Sequence, residues 1–116
     1  MTITPGMVTI DCADPARLAA FWTAALGYEV AAEYPGFVIL GTGDTLRVGL
    51  QAVPEPRTGK NRVHLDFLAD DREAEAARLT ALGATEVARR SAPGGGFAWI
   101  VLADPEGNEF CVGEAG

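Results

Sequence analysis

Four side chains in the second half of the chain have the types and spacing that acid-base or nucleophilic catalysis requires. His64 is the only histidine, so a proton transfer near neutral pH would depend on it. Asp66 lies two residues further on, a spacing that places both side chains on one face of a strand. Glu109 and Cys111 have the same spacing in a later apolar segment. His64, Asp66 and Glu109 are therefore candidate catalytic residues, although we favour a passive, hydrogen-bonded His64 in a polar cavity.

Cys111 is a candidate nucleophile only if a cation lies beside it, and His64 or Arg47 could supply one. The apolar neighbours of Cys12 and Cys111 favour packed strand thiols, and a reducing compartment disfavours a disulfide between them. We therefore predict two buried thiols.

One pattern of elements occurs twice and must position these side chains. In the first copy the spacing predicts a strand over Met7–Cys12 and a helix that Asp14 caps and Gly27 ends. In the second copy it predicts a strand over Arg62–Phe67 and a helix over Asp71–Leu82. Three strands are predicted after each helix: Tyr28–Glu33, Gly36–Leu40 and Leu46–Val53, then Thr85–Arg89, Phe97–Leu102 and Glu109–Val112.

The two copies define the domain organisation. A chain of 116 residues fits one domain, and the elements predict the α+β class with two tandem βαβββ modules, at about 6–53 and about 62–114. The segment of about 54–61 contains two prolines in a polar run, so it extends neither a strand nor a helix and is predicted to be the linker.

Three groups of residues, one at each helix and one near the end of the chain, carry a resemblance to a known family. They are Asp14-Pro15-Ala16-Arg17 with Phe21-Trp22 and Leu26-Gly27, His64-Leu65-Asp66-Phe67 with Asp70-Asp71 and Leu82-Gly83, and Asp104-Pro105-Glu106-Gly107-Asn108-Glu109-Phe110. Together they resemble the vicinal oxygen chelate superfamily, which includes glyoxalase I, extradiol dioxygenases and bleomycin-resistance proteins. The resemblance implies that the modules form a curved mixed sheet around a cleft, with the helices outside.

The face of each lining strand that does not pack on a helix is expected to face this cleft. Val63, Leu65 and Phe67, for example, form an apolar face suited to a helix, which leaves the alternate positions for the cavity. Trp99 and Phe97 share another face, which fits either a pocket wall or the core. Besides the candidate catalytic residues, the predicted cleft-lining residues are Met7, Thr9, Asp11, Arg47, Gln51, Arg62, Trp99 and Cys111.

The resemblance also implies positions for a metal. Enzymes of the superfamily usually hold one divalent ion through a His or Glu on each of the first, fourth, fifth and eighth strands. His64 matches the fifth-strand position, whereas Met7, Gly49 (or Gln51) and Cys111 stand at the others. This set lacks the donors that Mn²⁺, Fe²⁺ or Ni²⁺ require, so we expect no metal and no other cofactor. The alternative is one divalent metal ion, or a softer His-Cys arrangement for Zn²⁺ or Cu⁺ with the Met7 thioether.

Two functions are compatible with these residues. The first is a protein that binds a small organic molecule in the cleft without the usual metal. The second is an enzyme, a lyase or isomerase of glyoxalase type or a dioxygenase-like one, that uses His64 as metal ligand or acid-base group. A shifted register would then add the carboxylate of Glu109. The sequence does not choose between a cavity within one chain and one shared across a dimer.

Charge and composition exclude other classes of partner. A formal net charge of -7 repels phosphate backbones and anionic lipids, so neither nucleic acid nor a membrane is an expected partner. The first residues lack the features of a signal peptide, and no apolar run is long enough to span a bilayer, which predicts a cytoplasmic protein. The resemblance implies a homodimer.

Overall fold

The computed structural model describes residues 5–59, 61–92 and 98–114, and the chain divides into two compact units, Met1–Pro56 and Arg57–Gly116. Within the described ranges, each unit contains one helix and one four-stranded mixed sheet in the order βαβββ. The predicted α+β fold of two tandem modules is therefore confirmed. The predicted cleft between the modules stays a prediction.

The elements of the first unit are β1 (Met7–Cys12), α1 (Pro15–Leu26), β2 (Glu29–Tyr34), β3 (Phe37–Gly41) and β4 (Arg47–Ala52). Its sheet has the order β1-β4-β3-β2, in which β1 pairs parallel to β4 and the other neighbours are antiparallel. The helix starts where the Asp14 carboxylate accepts a hydrogen bond from the Arg17 amide at 3.2 Å, and it ends at Gly27, whose φ of 68° favours glycine.

The core of the first unit lies between α1 and the sheet. Leu18 and Trp22 on the helix are buried, as are Leu40 on β3 and Leu50 on β4. Alternate residues of these strands point to the other face of the sheet. There the neighbours of Gly49 leave no space for a side chain at position 49. An ideal Cβ at Gly49 would lie 3.0 Å from Thr9 Oγ1, 3.1 Å from Met7 Sδ and 3.2 Å from Phe37 Cε1.

The elements of the second unit are β5 (Asp66–Ala69), α2 (Arg72–Leu82), β6 (Thr85–Ser91), β7 (Ala98–Ala103) and β8 (Glu109–Glu114). They repeat the topology of the first unit with the sheet order β5-β8-β7-β6, and β5 pairs parallel to β8. The Asp71 carboxylate accepts from the Ala74 amide at 3.1 Å and caps α2. Buried Ile100, Leu102 and Phe110 form the core of this unit.

The turn between β7 and β8 is organised by one buried carboxylate. Asp104 is only 3% exposed, and its Oδ1 accepts from the Glu106 amide at 2.9 Å and from the Asn108 amide at 3.0 Å. The Asn108 side-chain amide donates to both carboxylate oxygens of Asp104. These bonds satisfy the buried charge and fix the direction in which β8 starts.

Ion pairs hold α2 against its sheet. Arg72 donates to the Glu114 carboxylate at 2.8 Å, which joins the start of the helix to the end of β8. Arg89 on β6 donates to both oxygens of Glu73 on α2, at 2.6 and 3.0 Å, and also pairs with Glu86. The hydrogen bond from Arg89 lowers the pKa of Glu73 below 4.5, and the two carboxylates raise the pKa of Arg89.

The structure corrects one predicted strand. Arg62–Phe67 was expected to be extended in the sheet, but β5 begins only at Asp66 and continues to Ala69. Val63 is 76% exposed, so it does not pack on the helix as its alternation with Leu65 and Phe67 suggested. The sequence is apolar enough for a strand, but ladder pairing with β8 begins only at Asp66.

The other predicted elements differ from the structure mainly at their ends. β2 and β3 are shifted by one residue towards the C-terminus, β4 is one residue shorter at each end, and β6 and β8 extend two residues further. Phe97, predicted to begin a strand, lies outside the described residues. Cys12 and Cys111 are buried thiols. Across the described ranges, neither helix is long and apolar enough to cross a membrane.

Candidate functional site

Sheet pairing brings three of the chemistry-bearing side chains together in the second unit. In the parallel ladder of β5 and β8, Asp66 is the direct partner of Cys111, so both side chains project from the same face. His64 lies two residues before Asp66, and its Nε2 is 3.3 Å from Asp66 Oδ1. One ligand atom from each of the three residues lies within 4.8 Å of the others.

The position of His64 depends on the segment that precedes β5. The backbone N–H of Cys111 donates to Leu65 O at 2.9 Å, so the first hydrogen bond between β5 and β8 is made by the residue directly before β5. Asn61 extends this connection, since its Oδ1 accepts from the Glu109 amide at 3.2 Å and its Nδ2 donates to Glu109 O at 3.3 Å. The same Nδ2 donates to Val63 O at 2.5 Å. Asn61 therefore ties the segment that carries His64 to the start of β8.

The face of the sheet that carries these residues forms a concavity of about 610 Å³. Leu68, which continues the alternation of His64 and Asp66, is 67% exposed within it, and Trp99 on β7 is half-buried. The lining of the concavity thus combines apolar and polar side chains. The lining residues are His64, Asp66, Phe67, Leu68, Val87, Ala88, Arg90, Trp99, Val101, Glu109, Cys111 and Gly113.

A bulge in β6 decides which of its residues reach the concavity. The register between β6 and β7 shifts between Glu86 and Ala88, so the neighbouring residues Val87 and Ala88 both line it. Beyond the bulge the alternation resumes. Arg90, the ladder partner of Trp99, lines the concavity, whereas Arg89 pairs with Glu73 of α2.

The structure separates the predicted site residues into three groups. His64, Asp66, Trp99, Glu109 and Cys111 all line the concavity of the second unit. Arg62 is exposed and lies outside this lining, because it is further from the start of β5 than His64 and has no partner in the β5–β8 ladder. The remaining predicted residues, Met7, Thr9, Asp11, Arg47 and Gln51, lie on the β1 and β4 strands of the first unit.

Sequence reasoning missed most of the apolar wall. Leu68 and Gly113 could have been found, because each continues the period of two from Asp66 and Cys111. Arg90 has no sequence signal that points to the concavity, and only its pairing opposite Trp99 places it there.

The donor chemistry does not fit the hard metal site that the resemblance implied. At the Gly49 position there is no donor, and the space beside it is filled by Thr9, Met7 and Phe37. The remaining positions offer a thioether at Met7, an imidazole at His64 and a thiol at Cys111. Mn²⁺ and Fe²⁺ prefer carboxylate, carbonyl and imidazole ligands, so this set is unsuited to them.

The family is established by comparison with known proteins. A family model described as a glyoxalase-like domain matches residues 7–113, nearly the whole chain. The chain belongs to this family, and its fold is that of the glyoxalase/bleomycin resistance/dioxygenase superfamily. No curated protein matches the chain significantly.

Solved structures give the same fold. A glyoxalase/bleomycin resistance protein/dioxygenase family enzyme from Burkholderia phytofirmans is 25% identical, with a TM-score of 0.79 over 97% of this chain and 98% of that one. A lactoylglutathione lyase from Agrobacterium tumefaciens is 21% identical, with a TM-score of 0.72 over 99% and 96% of the two chains. A mutant fosfomycin resistance protein from Listeria monocytogenes, complexed with Mn(II) and a dihydroxypropylphosphonic acid, is 15% identical, with a TM-score of 0.82 over 100% and 93%. The last two likenesses show the fold alone.

Proposed function

We propose that this glyoxalase-like protein binds a small organic molecule in the concavity of its second module, without the hard divalent metal typical of the superfamily's enzymes. The observation that carries the proposal is the concavity itself, about 610 Å³, with an apolar wall at Leu68 and Trp99 and polar groups at His64 and Glu109. Ligand pockets have this volume and this combination of apolar surface with a few polar groups.

The composition of the lining suggests the chemistry of the ligand. Leu68, Val87 and Val101 offer aliphatic surface beside the Trp99 ring, which suits an aromatic or alicyclic body. Arg90 can pair with an anionic group, since it lines the same concavity. A relative of the same fold holds a small phosphonic acid in its crystal, which supports the choice of a small organic ligand. A compact apolar molecule with one anionic group is the expected class.

Titration with anilinonaphthalene sulfonate, an aromatic anion, tests this proposal. We expect one equivalent to bind in the presence of EDTA, and amide chemical shifts in a ¹⁵N spectrum to change on β5, β7 and β8. Leu68→Asp places a charge in the apolar wall without opening the core, because Leu68 is 67% exposed, and should weaken binding at least tenfold. Binding that needs a metal, or shift changes that avoid these strands, would refute the proposal.

A matched substitution controls for the added charge. Leu46 is also an exposed leucine, at 46%, but it lies in the first unit. Leu46→Asp should leave the affinity for the probe within twofold of the original protein. Equal weakening by both substitutions would show that net charge, not the wall at Leu68, controls binding.

A second candidate function is catalysis, which one contact favours. The 3.3 Å approach of Asp66 Oδ1 to His64 Nε2 resembles the pairs in which a carboxylate orients an acid-base imidazole, and Glu109 lines the same concavity. Turnover that disappears in His64→Ala while the fold remains intact would support an enzyme of lyase or isomerase type. One-to-one protection of a bound ligand without turnover would support binding. The homodimer and the cytoplasmic location also stay predictions.

A further inference from the structure

The geometry points to a metal site of a different kind within the second module. We propose that His64, Asp66 and Cys111 bind one thiophilic divalent ion of the zinc class. This site needs no residue of the first module, and it replaces the hard donors usual in the superfamily with a thiolate. It goes beyond the proposed ligand binding and does not depend on it.

The placement of the three donors is built into the sheet. Asp66 and Cys111 are direct ladder partners, so the distance between their side chains is set by the backbone and not by flexible loops. His64 is held on the same side by the Leu65–Cys111 hydrogen bond and by the Asn61 contacts to Glu109. The donor atoms lie within 4.8 Å of one another. Donors around a tetrahedral zinc ion are about 3.5 Å apart, so small side-chain rotations would complete the site.

The chemistry of the donors selects the metal. A thiolate, an imidazole and a carboxylate together suit Zn²⁺ and its substitutes Co²⁺ and Cd²⁺, whereas Mn²⁺ and Mg²⁺ prefer oxygen donors. The ionised thiol and carboxylate supply two negative charges, which match a divalent cation. Three protein ligands leave the fourth tetrahedral position for water or another donor.

The burial of the donors is also suited to metal exchange with solvent. Cys111 is only 6% exposed, while the side chains of His64 and Asp66 are 39% and 69% exposed. An ion can therefore approach from the His64 and Asp66 side and reach the sulfur inside. Binding displaces the thiol proton, so the affinity should increase with pH.

Titration of the metal-depleted protein with Co²⁺ tests the site, because cobalt reports its ligands in its absorption spectrum. We expect one equivalent to produce a thiolate-to-cobalt charge-transfer band and the intense visible bands of tetrahedral coordination, both removed by Zn²⁺. Mn²⁺ should bind at least a hundredfold more weakly than Zn²⁺. Absence of the charge-transfer band, or comparable affinities for Mn²⁺ and Zn²⁺, would overturn the proposal.

The second cysteine provides a matched control. Cys111→Ser should abolish the charge-transfer band, whereas Cys12→Ser should retain it, because the buried thiol of Cys12 lies in the first unit and donates to Gln51 O. His64→Ala and Asp66→Asn should each weaken Co²⁺ binding at least tenfold. Loss of the band in Cys12→Ser, or its persistence in Cys111→Ser, would show that Cys111 is not the sulfur ligand and would refute the site.

A measurement on the unmodified protein covers the case in which Cys111→Ser fails to fold. The ¹¹³Cd chemical shift of the cadmium-loaded protein distinguishes a sulfur ligand from oxygen and nitrogen ligands alone. A shift in the sulfur-ligated range supports the site, and a shift typical of oxygen ligands overturns it. No organic ligand is present in either experiment, so failure of the metal site leaves the test of ligand binding unaffected.

Discussion

Replacement of Asn61 by alanine should loosen the segment that positions His64. The substitution removes three hydrogen bonds, two of them to the backbone of Glu109 and one to Val63 O. Each is worth about 0.5–1.5 kcal/mol net, but Asn61 is only half-buried, so water can replace part of what is lost. We therefore expect the segment to open more easily by about 1–2 kcal/mol, which is a factor of about 5–30 in the opening equilibrium.

Hydrogen exchange of single amides measures this opening directly. The Glu109 amide bonds to Asn61, and the Cys111 amide bonds to Leu65 O, so both should exchange about 5–30 times faster in Asn61→Ala. The Ala52 amide, which bonds to Gly36 O in the first unit, serves as an internal control and should change less than twofold.

Two results would refute this reasoning. Unchanged exchange at Glu109 would show that the Asn61 side chain does not hold the segment in solution. Equal acceleration at Ala52 would show a general loss of stability instead of a local one. The same variant also tests whether Asn61 positions His64 without binding the metal itself. Asn61→Ala should weaken Co²⁺ binding several-fold but keep the thiolate-to-cobalt band at saturation.

Three further substitutions test other parts of the fold. Gly49→Ala should cost about 1–3 kcal/mol in urea unfolding, because its Cβ would meet three neighbouring atoms at 3.0 to 3.2 Å. Gly6→Ala is the control and should change stability by less than about 0.5 kcal/mol, because a Cβ there would meet no atom of the described residues within 4 Å. Asp104→Ala should cost at least about 2 kcal/mol in the same assay, because it removes the acceptor of several hydrogen bonds at a buried turn. Glu73 has a lowered pKa in the folded protein, so its stabilisation is present above about pH 4.5 and lost as the pH falls through the folded pKa. An NMR titration should show the pKa of Glu73 rising in Arg89→Met, and an unchanged value would contradict the assigned cause.

The sequence alone determined the features that depend on neighbours along the chain. Asp14 and Asp71 cap helices because a short carboxylate side chain can reach an amide three residues later, and Gly27 ends a helix because it accepts a positive φ. Strand alternation also separated Glu109 and Cys111 from Phe110 on β8, because successive side chains point to opposite faces. These local rules were sufficient for the fold class and for most elements.

The tertiary structure decided which of these residues meet. Asp66 and Cys111 are 45 positions apart in sequence, and only the parallel pairing of β5 with β8 makes them neighbours. The late start of β5 leaves His64 outside the strand, where Asn61 and Leu65 hold its segment in place. Such pairings depend on hydrogen bonds between distant segments, which no local pattern specifies. The sequence supplied the donors of the proposed metal site, and the register of β5 and β8 set the distance between Asp66 and Cys111.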